Sequence, residues 1–340
     1  MARNDTPAAG IFGCSGLTLT DEEKAFFAKT DPLGFILFAR NIDSPDQVRT
    51  LVHDLRASVG RRAPVLIDQE GGRVQRLRPP HWLKRPPMSV FARMAEIDLP
   101  KGRAACRLNA RLIAEDLADL GIDVDCAPVL DVPVAGAHDI IGDRALGFDS
   151  MLVADLGRAV CDGLLDGSVM PVIKHIPGHG RALVDSHLDL PVVVEDSATL
   201  SASDFAAFRI MRNAPWAMTA HVVYKAFDPL RPATTSPIVI EQVIRGEIGC
   251  EAVLLSDDLS MKALKGDFAD RTRDSLEAGC DVALHCNGEM AEMIAIASAL
   301  RPLTDAALER LARADAMLRN RPLPQGAQAT LDAVLAGEGL

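Results

Sequence analysis

A chain of 340 residues, 48% hydrophobic and 24% charged, carries enough apolar material for a large core and excludes a disordered majority. Its formal net charge of −11 excludes the concentrated basic surface that a nucleic-acid partner needs. The first 17 residues have neither the charged start and apolar core of a leader nor the length of a membrane span, which predicts cytoplasmic residence and no membrane partner. Seven scattered cysteines, an odd number without paired spacing, read as buried thiols in a reducing compartment rather than as disulfides or a zinc site.

In chain order, short runs rich in Val, Ile, Leu and Phe predict strands near 10–14, 34–38, 65–68, 124–130, 169–174, 216–221, 252–257 and 282–286. Segments of helical periodicity lie between them, at 44–58, 101–120, 151–166, 200–213, 238–248, 268–278 and 289–300. Asp21 is the expected N-cap of a short first helix, and Ser44 with Gln47 three residues later has the form of a capping box. About eight βα units in one chain of this length fit a single-domain (β/α)8 TIM barrel over residues 1–340 better than an open sheet. The Pro-rich stretch 79–87 falls in a connection, and from about 322 a short tail with a weakly amphipathic run at 331–335 is appended.

In such a barrel the active site lies at the carboxyl ends of the strands. Those ends are repeatedly polar here: Asp68 followed by Gln69, Glu70, Arg73 and Arg76; Asp131, with Arg144 on the connection after it; Lys174 and His175; His221; Asp257 and Asp258; His285. The richest stretch runs from Lys174 to His187, where Pro177, Gly178 and Gly180 preclude regular structure and the two glycines suggest a mobile loop. In an extended segment Asp185 and His187 share a side, so the carboxylate can hold one ring nitrogen while the other moves a proton. Strand alternation lets only one of Asp257 and Asp258 face a pocket. Aromatics are scarce, two Trp and one Tyr, which leaves Trp82 as the expected platform for a ring-shaped ligand and assigns Trp216 to the core. Arg73, Arg78, Lys84 and Arg85 form an expected basic patch beside it.

Four runs carry a resemblance. They are Lys174 to Gly180 with Asp185-Ser186-His187, Ser256 to Met261, Ile67 to Arg76, and Gly142-Asp143-Arg144. Together they resemble the single-domain β-N-acetylglucosaminidases of glycoside hydrolase family 3, which act in bacterial cell-wall recycling, and they span about 34 to 288 in that family's order. The resemblance implies a retaining hydrolase that removes terminal non-reducing β-linked N-acetylglucosamine from muropeptides. Asp257 matches the nucleophile, His187 the general acid/base with Asp185 as its partner, and Asp68, Arg76, Arg144, Lys174 and His175 the substrate contacts. It implies no cofactor or metal, a monomer, and a small saccharide or muropeptide as the partner. Three alternatives make separate predictions. A phosphorylase of the same family would need phosphate, a metal-dependent hydrolase using His175, His179, His187 and His285 would need a stoichiometric metal, and a non-catalytic sugar-binding barrel would tolerate loss of Asp257.

Overall fold

The computed structural model describes residues 6–136, 139–182 and 190–337. Eight parallel strands close into a barrel in sequential order: β1 (Ala8–Phe12), β2 (Pro32–Leu37), β3 (Val65–Ile67), β4 (Val124–Asp125), β5 (Met170–Ile176), β6 (Trp216–Thr219), β7 (Val253–Asp258) and β8 (Val282–His285), with β8 pairing back to β1. Successive strand residues belong to two different packing clusters. Leu33, Ile36, Leu66, Val172, Trp216 and Met218 fill one, while Phe35, Leu37, Val65, Ile67, Ile173 and Ala217 pack in the other with residues of the surrounding helices. This period-two sorting of strands buried on both faces produces the continuous apolar runs visible in the sequence. Trp216 lies in the core as expected.

Several elements differ from expectation. The fourth strand ends at Asp125 rather than reaching 130: Pro128 has no N–H to offer the ladder, although the Ala127 and Pro128 carbonyls still accept from Val172 and Lys174 and Val129 bridges Lys174. The helix expected at 200–213 breaks at Ser203, whose φ of −121° and ψ of −73° are not helical, into Ser197–Ala202 and Asp204–Ile210. The segment Val239–Glu247 forms a π-helix. Thr20, not Asp21, caps the first helix: its hydroxyl accepts from the Glu23 N–H, and the Glu23 carboxylate accepts from the Thr20 N–H. Ser44 occupies the cap position of Pro45–Val59 without a side-chain bond, since Gln47 accepts from Asp43 N–H instead. The helices Met88–Ile97 and Asp305–Asp315, and the antiparallel ribbon of Gln69–Gly71 with Val74–Gln75, were not foreseen.

The tail is part of the structure rather than an appendage. Its helix Ala327–Ala336 buries Ala327 and Leu331, and Gln328 accepts a hydrogen bond from Arg85. Arg85 is itself buried and ion-paired to Asp116 at 2.7 Å, and Trp82 is only 9% exposed, so neither the basic patch nor the aromatic platform exists in the form expected. All seven cysteines are buried and free. Among the described residues no helix is long and apolar enough to cross a membrane.

Candidate active site

A cavity of about 390 Å³ opens at the carboxyl ends of the strands. Its walls come from Phe38 after β2, Asp68 after β3, Lys174 and His175 on β5, and Asp257 with Asp258 on β7. All five expected contact residues, Asp68, Arg76, Arg144, Lys174 and His175, line it together with Asp257. Asp185 and His187 lie outside the described residues.

One side of the cavity is a closed network of charge. Lys174 Nζ lies 2.8 Å from Asp68 Oδ1 and 2.7 Å from Glu70 Oε1. Arg76 Nη2 donates to Asp68 Oδ2 at 3.0 Å, and Arg144 clamps both Glu70 oxygens at 2.8 Å through Nε and Nη2. Burial would push both carboxyls up, but the facing cations more than offset it: Asp68 falls well below the ordinary range and Glu70 falls to about 2. Glu70 is a cavity residue to which the sequence reading gave no role. The signal was present, because positions i and i+2 on an extended strand end place Asp68 and Glu70 on one side.

Beneath this network Asp125 is completely buried, its Oδ1 accepting from the Gln69 N–H at 2.9 Å. Burial pushes its carboxyl up to about 7. The two acids therefore act on stability in opposite directions. Glu70, depressed in the fold, stabilises above its ordinary 4.5 and loses that contribution as pH falls toward about 2. Asp125, raised in the fold, is most favourable below its ordinary 3.8 and loses stability as pH rises through about 7. Asp125→Asn should remove that decline and flatten urea midpoints between pH 4 and 8, on the order of a few kcal/mol in the range where the raised acid ionises. A slope identical to the parent's would contradict the assignment.

Both β5 and β7 depart from simple alternation where they enter the cavity. On β5, Lys174 faces Met218 while Ile176 faces Thr219, so His175 is an extra residue and it lines the cavity beside Lys174. On β7, Leu255 faces Val282 and Asp258 faces Leu284, again one residue too many. These bulges re-aim side chains. Asp257 and Asp258 consequently both line the cavity, correcting the expectation that only one does. Their engagements still separate them. Asp258 accepts from the N–H groups of Ser260 and Cys286 and from the Ser260 hydroxyl at 2.6 Å, which commits it to the turn. Asp257 Oδ1 accepts from the Asp258 N–H at 2.8 Å, and the Asp257 N–H donates to Thr219 Oγ1.

The stems of the segment that leads to Asp185 and His187 are packed. Tyr224, the single tyrosine, donates to the Gly178 carbonyl, and Arg181 Nε lies 2.6 Å from Asp204 Oδ2. A Cβ at Gly180 would collide with the Val132 carbonyl, so this glycine serves close approach rather than a hinge. On the far side, Val192–Val193 pairs with Val223–Tyr224.

His179 lines the cavity, and burial lowers its ring to about 4, so it is neutral near pH 7. His221 is buried, bonding Thr234 Oγ1 through Nδ1 at 2.7 Å and the Asp258 carbonyl through Nε2 at 3.0 Å. His285 is buried within 3.6 Å of Glu292. Arg73 reaches Asp143 at 3.1 Å and the carbonyls of Asp139 and Ile140, clamping the wall rather than forming a free patch. The aromatic ring on the cavity wall is Phe38, not Trp82, with the guanidinium carbons of Arg40 and Arg76 each 5.2 Å from its centroid. Among the described residues no group of three or more His, Cys, Asp or Glu side chains is arranged to hold a metal.

A closed (β/α)8 barrel whose strand ends present charged, hydrogen-bonding groups around a cavity is an enzyme scaffold for a polar ligand. Residues 13–314 match the glycosyl hydrolase family 3 N-terminal domain, and the chain belongs to this family of glycosidases. It is 41% identical over 283 residues to a β-hexosaminidase of Alkalilimnicola ehrlichii, covering 82% of this chain and 80% of that protein. A second β-hexosaminidase, from Aromatoleum aromaticum, is 36% identical over 314 residues, covering 91% and 86%. Among solved structures, NagZ from Neisseria gonorrhoeae in complex with N-trifluoroacetyl-D-glucosamine superposes with a TM-score of 0.87 at 31% identity, covering 97% of this chain and 98% of that one. The family, the barrel and the hydrolase class expected from the sequence are thereby established.

Proposed function

We propose that this glycosidase is a β-N-acetylhexosaminidase that releases terminal non-reducing β-linked N-acetylglucosamine from muropeptides in cell-wall recycling, with retention of configuration. The observation that carries the reading is the convergence of Asp257 with Asp68, Arg76, Arg144, Lys174 and His175 on one cavity. The enzyme acts in the cytoplasm as a monomer with a single catalytic domain over residues 1–340, on a saccharide and with no cofactor.

Asp257 attacks the anomeric carbon to form a glycosyl-enzyme, while His187, paired with Asp185, protonates the departing oxygen. In the second step His187 takes a proton from water as the water oxygen bonds to the anomeric carbon and the bond to Asp257 breaks, which releases the sugar and restores the carboxylate. Sugar hydroxyls that lose water on binding need replacement partners, and the Asp68, Arg76, Lys174 and Arg144 network supplies rigid donors and acceptors.

The test is to trap the intermediate with a slow fluorinated N-acetylglucosaminide and map the labelled residue. The expected label is on Asp257; a label elsewhere, or product of inverted configuration, overturns the mechanism. Parallel digestion with and without phosphate should yield the free sugar in both, whereas a sugar phosphate would establish the phosphorylase.

A further inference from the structure

Asp131 follows β4 on the connection toward Arg144 and is completely buried. It collects three donors. Oδ1 accepts from the N–H groups of His175 at 3.2 Å and His179 at 2.6 Å, and Oδ2 lies 2.7 Å from His175 Nδ1. Burial alone would raise this carboxyl, but the facing His175 ring and the His179 N–H reverse the effect and hold it below its ordinary value, so it is ionised near pH 7.

An ionised carboxylate only accepts, so the nitrogen facing it must carry hydrogen. That places the hydrogen of the neutral His175 ring on Nδ1 and its lone pair on Nε2, on the side of the ring away from Asp131. His175 lines the cavity and Asp131 does not. The two backbone N–H groups do not by themselves call for a charge here. A neutral Asn would satisfy them with a smaller desolvation cost than a buried carboxylate. The imidazole is the partner for which ionisation makes a difference.

We propose that Asp131 is a positioning residue for glycoside cleavage: it selects the His175 tautomer that presents Nε2 to the cavity as a hydrogen-bond acceptor for a sugar hydroxyl. The inference rests on the reading that His175 contacts the sugar, and its test keeps the two apart.

With 15N-labelled histidine and His175→Gln for assignment, the parent enzyme at alkaline pH should show His175 Nδ1 protonated and Nε2 bare. The reverse pattern, or both nitrogens protonated throughout, overturns the proposal without any reference to activity. Asp131→Asn keeps an oxygen for the two backbone donors but turns an amide N–H toward Nδ1, which should reverse the tautomer and lower kcat/KM at least tenfold with thermal unfolding little changed. In a His175→Ala background the same exchange should cost nothing more. Parent-like kcat/KM in Asp131→Asn, or a loss that persists in full without His175, overturns the positioning role. If His175→Ala is itself harmless, the sugar-contact reading fails, while the tautomer measurement still decides whether Asp131 holds the ring. Should Asp131→Asn not fold, the parent spectra decide.

Discussion

Asp257→Ala is expected to abolish turnover, by about a thousandfold or more, while leaving the fold intact. The residue sits where the β7 bulge turns the chain into the cavity, and it is not part of either apolar cluster. Removing it takes away the atom that would bond to the anomeric carbon and leaves no void in the core. Asp258→Asn should behave in the opposite manner. That carboxylate accepts from three donors at the head of the turn, so the exchange should lower the unfolding temperature while activity on the remaining folded enzyme falls less. Steady-state kinetics and thermal unfolding on both variants check the pair. An Asp257→Ala enzyme with parent-like activity and parent-like unfolding would rule out the nucleophile.

The contrast between these neighbouring aspartates shows where sequence reasoning reached and where it stopped. Polar residues that close apolar runs were legible, because a buried strand can end in Asp68, Lys174 or Asp257 only if something polar receives them, and the barrel brings strand ends together. What was hidden depended on partners far away in the chain. Glu70 is held by Arg144, 74 residues on, and Arg85 is drawn inward by its ion pair with Asp116, 31 residues on. The bulges on β5 and β7 are properties of two strands in register, so alternation within one strand misjudged Asp258. Trp82 failed as a platform for a related reason: Gln75 accepts from the Arg85 N–H and donates to the Leu83 carbonyl, tying the proline-rich connection down and holding the indole in the core.

His187→Ala should separate the two chemical steps by their need for a proton. Protonation matters most when the leaving group is a poor one such as a sugar alkoxide, whereas an activated nitrophenolate departs with little help, so the variant should lose far more activity on natural-type glycosides during glycosylation. The second step needs the same residue as a base for water, whatever the first leaving group was. Activated substrates should therefore give a rapid burst followed by a slow steady state, the signature of an accumulated glycosyl-enzyme on Asp257. Azide is a nucleophile that requires no general base, so it should accelerate that steady state and yield a glycosyl azide of retained configuration. A stopped-flow trace with product analysis checks all three. Equal losses on activated and natural-type substrates, with no burst and no azide response, would assign the proton transfers to a residue other than His187, and the two carboxylates and imidazole of the proposed mechanism would have to be reapportioned.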